Sequence, residues 1–113
     1  MAYTVVSHFT KSDPDVRATY AAILEAARKL GKVQEDPKKT SIHLVRASAF
    51  AGVAAQKQAL VLTLKASKPI QSPRIRRTEQ TSANRWHMEM RLTSPAEVDA
   101  ELRQWLAEAY ALA

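Results

Sequence analysis

Arg85-Trp86-His87-Met88-Glu89-Met90-Arg91-Leu92-Thr93-Ser94-Pro95-Ala96-Glu97-Val98-Asp99 decides the fold of this chain, because it reads as a half-buried strand running into a capped helix. Trp86, Met88, Met90 and Leu92 alternate with His87, Glu89 and Arg91. A period of two puts each set on its own face of a sheet. Ser94 then offers a hydroxyl to free helical N–H groups, Pro95 suits the first helical position, and Glu97 completes a capping box. Val98, Leu102, Trp105, Leu106 and Ala109 recur on one helical face. Glu97, Asp99 and Glu101 fall where the helix dipole favours negative charge.

Working toward the N-terminus, the clearest strand alternates Leu60, Leu62 and Leu64 with Val61, Thr63 and Lys65. The segments 40–47 and 50–55 predict two more strands, with Gly52 marking a bulge or a close backbone approach. Arg74 to Gln80 is expected to pair with Arg85 to Leu92 through a turn at Thr81 to Asn84. A short strand is expected over Val33 to Asp36, ended by Pro37. Before it, Ser12 or Asp13 caps a helix opened by Pro14, with Val16, Tyr20, Ile23, Leu24, Ala27 and Leu30 inward and Gly31 as its stop. Residues 1–11 are expected to form an extended N-terminal arm. The fold class that follows is α+β, with residues 1–113 as a single domain. An antiparallel sheet of about five or six strands carries an N-terminal and a C-terminal helix on one face.

Composition narrows the function. A chain of 113 residues can bury roughly two thirds of its unfolded surface in one core. It has no cysteine, which excludes disulfides, thiolate nucleophiles and cysteine-ligated zinc. No run approaches the ~20 apolar residues of a membrane span. Asp13, Pro14 and Asp15 interrupt the first residues before a secretory core can form, so no membrane association and a cytoplasmic location are expected. The net charge is +6, and its distribution says more than its total. Residues 28–91 hold fourteen Lys or Arg against Glu35, Asp36, Glu79 and Glu89, while the flanking segments are mildly acidic. A basic middle of this kind favours anionic partners.

The chain resembles a bacterial family of unknown function, domain of unknown function 5655. The resemblance rests on Pro37-Lys38-Lys39-Thr40-Ser41-Ile42-His43-Leu44, Ala49-Phe50-Ala51, Glu79-Gln80, Asn84-Arg85-Trp86-His87 and Arg91-Leu92-Thr93-Ser94-Pro95. It continues through Glu101-Leu102 and Trp105-Leu106 to Tyr110, covering nearly the whole chain from about His8 onward. Members of the family occur as small stand-alone proteins or as the tail of a two-domain protein. The resemblance implies no catalytic residues. Members often carry a second histidine where this chain has Met88, which argues against a histidine-pair metal site here.

The residues must therefore be read for chemistry directly. His87 and Glu89 share a strand face, and His43 could join them from another strand to hold a divalent metal. The spacing lacks a metal-binding signature, and the expectation is no resident metal or other cofactor. Glu89-Met90-Arg91 superficially resembles the acidic-x-basic strand of metal-dependent nucleases, but arginine replaces lysine and a second carboxylate would have to come from Glu35, Asp36 or Glu79. With Gly31 and Gly52 as the two glycines, neither a P-loop nor a dinucleotide fingerprint can be written. No serine sits in a nucleophile elbow, and Ser41 is expected to point away from His43 unless a bulge brings them together.

The more specific candidates are basic. Lys39, Arg46, Lys65, Arg74, Arg76, Arg77, Arg85 and Arg91 could present an anion-binding sheet surface, with bidentate contacts from arginine. Trp86 and Trp105 are assigned to the core and no aromatic row interleaves the charges, so base stacking is not expected. The leading expectation is a non-enzymatic binding module for an anionic partner, a nucleic acid or a small anion. The alternative is a homodimeric interaction module using Val45, Val61 and Val53 on the face without helices. A metal-dependent enzyme built on His87 and Glu89 comes third.

Overall fold

In strand β4 (Leu60–Ala66), buried and half-exposed residues alternate at every position. Leu60, Leu62 and Leu64 are fully covered, each side chain contributing about 1.5–3 kcal/mol by leaving water. The computed structural model describes residues 3–113 of the chain. It places β4 in a six-stranded antiparallel sheet with β1 (Gln34–Pro37), β2 (Ile42–Val45), β3 (Ala49–Ala55), β5 (Arg77–Ser82) and β6 (Arg85–Leu92). The spatial order is β1-β2-β3-β4-β6-β5. Leu62 is opposite Val53 on one side and Met90 on the other, so three strands place their apolar sets on one face.

Helices α2 (Pro14–Arg28) and α3 (Ala100–Ala111) cover that face, preceded by a one-turn helix α1 (Val5–His8). α2 buries Val16, Tyr20, Ile23 and Ala27, and α3 buries Leu102, Leu106, Ala109 and Tyr110. These side chains and the inner strand residues form one hydrophobic cluster. The α+β architecture with two helices on one sheet face is therefore present. Among the described residues no helix is long and apolar enough to cross a membrane.

Several local expectations are corrected. The N-terminal arm is not extended over its described part: residues 5–8 form a helical turn capped by Thr4, and Phe9 is buried against Tyr20 with ring centroids 5.1 Å apart. Residues 1–2 of that arm lie outside the described residues. Asp13 is the α2 cap residue, but its side chain makes no capping bond. Its N–H instead donates to the Lys57 carbonyl at 2.7 Å, and the Ser12 hydroxyl donates to the Gln56 carbonyl at 2.7 Å. The start of α2 is thus tied to the β3–β4 turn, a long-range contact with no local sequence mark. α2 stops at Arg28, and Leu30 is exposed beyond it. Gly31 serves a different purpose from a helix stop. Its φ is +152°, and a Cβ there would run into the Tyr110 hydroxyl, which donates to the Lys32 carbonyl at 3.0 Å.

At the other end, the capping box closes only a 3₁₀ turn, Pro95–Glu97. Val98 leaves helical geometry with ψ at 69°, and α3 begins afresh with Asp99 accepting from the Leu102 N–H at 3.0 Å. Two caps stand in series where the sequence suggests one. β5 begins at Arg77, three residues later than expected, because a turn with Ile75 N–H bonded to the Ser72 carbonyl at 3.1 Å occupies the preceding residues. Arg74 therefore takes no part in strand alternation. Val53 is fully buried on the helix-covered face, and both tryptophans are only partly buried.

Candidate ligand site on the open sheet face

Strand alternation gives the uncovered face its own rows. One row crosses all six strands as Asp36, His43, Gly52, Thr63, Glu89 and Arg77. Beside it Lys65 lies opposite His87, and His87 opposite Glu79. Neighbouring strands are ~4.8 Å apart, so His43 and Thr63 stand on either side of a position that has no side chain. Gly52 thereby cuts a notch in the face. It opens into a concavity of about 260 Å³ whose lining includes Ser41, His43, Val61, Thr63, Lys65 and His87. A Cβ added at Gly52 would meet the His43 ring at 3.8 Å, which is ordinary contact. The glycine is not demanded by the fold at this point; what its missing side chain leaves is space.

The electrostatics of the concavity are one-sided. Among the described residues lining it, Lys65 supplies the one formal charge and His43 and His87 the two imidazoles. The Lys65 ammonium donates to Ser48 Oγ at 3.2 Å, a neutral partner that leaves its charge uncompensated. The nearest acids in the rows are already engaged. Asp36 holds Lys38 at 2.9 Å, Glu89 holds Arg76 at 3.2 Å, and Glu79 holds Arg77 at 3.4 Å.

Of the eight basic residues singled out from the sequence, only Lys65 lines the concavity. Arg46 donates to the Tyr110 carbonyl at 3.1 Å and lies 4.6 Å from its ring centroid, closing the end of α3. Arg74 reaches Asp99 at 3.0 Å, Glu101 at 3.2 Å and the Glu97 carbonyl at 2.7 Å. Burial opposes the charge on Arg74, but Asp99 and Glu101 more than offset it and raise its pKa. Burial likewise opposes ionisation of Glu97, yet hydrogen bonds from Thr93 and Ser94, with Arg74 nearby, hold its carboxyl below the usual range. The Leu102 N–H, then Arg74, does the same for Asp99. This group is a clamp between the β4–β5 connection and the start of α3. Arg76 and Arg77 pair with Glu89 and Glu79, and Arg85 donates to the Asn84 carbonyl at 2.8 Å. Arg91 is exposed opposite Val61, and Lys39 is exposed in the β1–β2 turn.

The candidate metal ligands are not gathered. Glu89 and His87 share a face of β6, but β3 and β4 intervene before His43, roughly 14 Å away across three strand spacings. Among the described residues no group of three or more metal-ligating side chains forms. The nuclease-like arrangement fares no better, since Glu35, one of its possible second carboxylates, accepts from the Tyr20 hydroxyl at 2.6 Å. Burial, followed by that bond to Glu35, keeps the Tyr20 phenol protonated well above its ordinary range.

Ser41 and His43 require a correction. They are two residues apart, so alternation sends them the same way, and both line the concavity without any bulge between them. Asp36 lies across from His43, but its carboxylate is bonded to Lys38, and no serine–imidazole–carboxylate relay is assembled among the described residues. Thr63 and Gly52 were not read as site residues from the sequence. The available sign was Gly52 in the middle of a strand, marking a close backbone approach.

No curated protein and no solved structure matches this chain. The family model described as a domain of unknown function (DUF5655) matches residues 5–113, essentially the whole length, and the chain belongs to that family.

Proposed function

We propose that the protein is a binding module that holds a small anion, a carboxylate or phosphate on a compact body, in the Gly52 notch. The observation that carries this reading is the polar part of a lining otherwise made of Gly52 and apolar residues such as Ala49, Ala54 and Val61. It comprises one ammonium, two imidazoles and two hydroxyls, from Lys65, His43, His87, Ser41 and Thr63, with no acid among the described lining residues. The volume of about 260 Å³ lies just under the ~300–1,000 Å³ of pockets that enclose drug-sized ligands, which suits a ligand of few atoms. A nucleic-acid partner is less well supported. Arg46, Arg74, Arg76 and Arg77 are bonded to groups of the protein itself, and phosphate-backbone binding draws on free cations along one surface.

The test is an amide-resonance titration with acetate, inorganic phosphate and a short DNA duplex in parallel. Saturable shifts centred on Gly52, Thr63 and Lys65 with acetate or phosphate, removed by Gly52→Val, are expected. Steeply salt-dependent shifts with the duplex alone, untouched by Gly52→Val, would replace the small anion with a nucleic acid. Silence with all three probes would end the anion reading.

A further inference from the structure

A second cavity lies at the end of the sheet, between the start of the β4–β5 connection and the flank of α3. Its volume is about 470 Å³, inside the range of ligand pockets. Lys68, Pro69 and Ile70 form one wall, and Trp105, Glu108 and Leu112 form the other. Spacings of three and four residues along α3 bring Trp105, Glu108 and Leu112 onto one stripe. That stripe is separate from the core stripe of Leu102, Leu106 and Ala109. The connection is fastened to the sheet beside it, where the Ile70 N–H donates to Met88 Sδ at 3.4 Å. Both walls are therefore anchored.

Two features define what the cavity could take. The first is an indole wall: Trp105 is only partly buried although it is large and apolar. Arg74 lies 5.6 Å from its ring centroid and is held there by the clamp with Asp99 and Glu101. The second is a pair of opposite charges. Lys68 from the connection and Glu108 from the helix both line the cavity, yet among the described residues neither forms a salt bridge with the other or with any third group. Lys65 adds a second ammonium at the edge shared with the Gly52 notch, but it donates to Ser48 Oγ. Lys68 and Glu108, both exposed at the cavity rim, are the unpaired base and acid that complement a ligand carrying both charges and an apolar body.

We infer that this cavity binds a free α-amino acid with an apolar side chain. Its carboxylate is received by Lys68, its ammonium by Glu108, and its side chain by Trp105, Ile70, Pro69 and Leu112. The site is distinct from the Gly52 notch, although Lys65 borders both, so Lys68 and Glu108 are the residues to test.

The chain has two tryptophans, and Trp86→Phe leaves Trp105 as the sole indole reporter. L-Leucine, N-acetyl-L-leucine and L-leucinamide are titrated against this variant while indole emission is followed. The Trp105 indole N–H resonance of the unsubstituted chain is read in parallel, so that a poorly folded variant cannot decide the result. Saturable binding of leucine is expected, weaker by about tenfold or more for each analogue that lacks one charge, the scale of one charge-assisted contact. Lys68→Gln should erase the preference for leucine over leucinamide, and Glu108→Gln the preference over N-acetyl-leucine. Leucine binding should also survive Gly52→Val. No saturable response to leucine, equal binding of all three compounds, or loss of the response in Gly52→Val would each overturn the inference.

Discussion

The two faces of this sheet come from the same strands, yet they are built of different material. On the covered face Leu60, Leu62, Leu64, Met88, Met90 and Leu92 are almost wholly removed from solvent. On the open face the residues in between are Val61, Thr63, Lys65, His87, Glu89 and Arg91, all half-buried or exposed. One face is filled with large side chains, while the other is interrupted by Gly52 and Ala54 and carries polar groups. Adjacent positions thus answer to different demands, and a stability residue and a proposed binding residue can be one peptide bond apart.

Leu62 and Thr63 put that contrast under the greatest strain. Leu62→Ala removes atoms from the centre of the core and should cost about 2–5 kcal/mol, a sum of lost transfer energy and a residual cavity. Thr63→Ala, one residue on, should cost less than about 1 kcal/mol. Urea denaturation of both variants measures the difference directly. Equal losses would mean that the open face is covered in solution, and the distinction between the faces would fail.

Next in size is the clamp that joins the β4–β5 connection to α3. Arg74→Ala removes charge-assisted bonds to Asp99, Glu101 and the Glu97 carbonyl. Since part of the guanidinium reaches solvent, the expected loss is about 1–2 kcal/mol and not the full worth of three buried contacts. The carboxyls of Glu97 and Asp99 titrate below their ordinary values in the folded protein. Their contribution is therefore complete above the unfolded-state values near pH ~4 and disappears as pH falls through the lowered folded values. Melting temperatures of the parent and Arg74→Ala should converge below about pH 4. A gap that stays constant with acidification would show that Arg74 acts through packing on Trp105 and not through charge.

How much of this could be read from the sequence depends on the range of the interaction. Alternation in Leu60–Lys65 and Trp86–Leu92 is local, and it assigned Leu62 and Met90 to one face and Thr63 and Glu89 to the other. The eight arginines and lysines were legible as a basic composition, but composition does not tell which cations are already paired. Arg74 meets acids about 25 residues further along the chain, through a loop whose course no period encodes. The site needed the strand order as well. Only the sequence β2-β3-β4-β6 places His43 and His87 on opposite sides of Gly52 and Thr63, and that order keeps His43 from joining Glu89. Trp105 looked like core because its helical spacing fits the core stripe. In the folded chain it does pack against the core cluster, but from the flank that faces the β4–β5 connection, where it stays partly buried beside the second cavity.

Gly52→Ala asks a finer question about the open face. The added methyl meets ordinary contact distance at the His43 ring, and glycine within a strand is usually the weaker residue by ~0.5–1 kcal/mol. Stability should hold or rise slightly while acetate and phosphate binding weakens. A destabilised variant would mean that the strand needs glycine for its backbone, and the notch would then be a by-product of folding.

The smallest effect expected on the fold is at Val61. Its side chain is on the open face, beside Ala54 and opposite Arg91, and Val61→Glu should change monomer stability by no more than about 0.5 kcal/mol. Its value lies in separating a ligand face from an interface between two copies of the chain. A glutamate brought against a second copy would bury an unpaired charge, a cost of several kcal/mol, whereas next to solvent and Arg91 it is harmless. Sedimentation of the parent and the variant distinguishes these outcomes. A parent dimer dissociated by Val61→Glu would assign the open face to self-association. An unchanged monomer would leave that face free for a ligand, and the introduced carboxylate at the rim of the concavity should then weaken acetate and phosphate binding by repulsion alone.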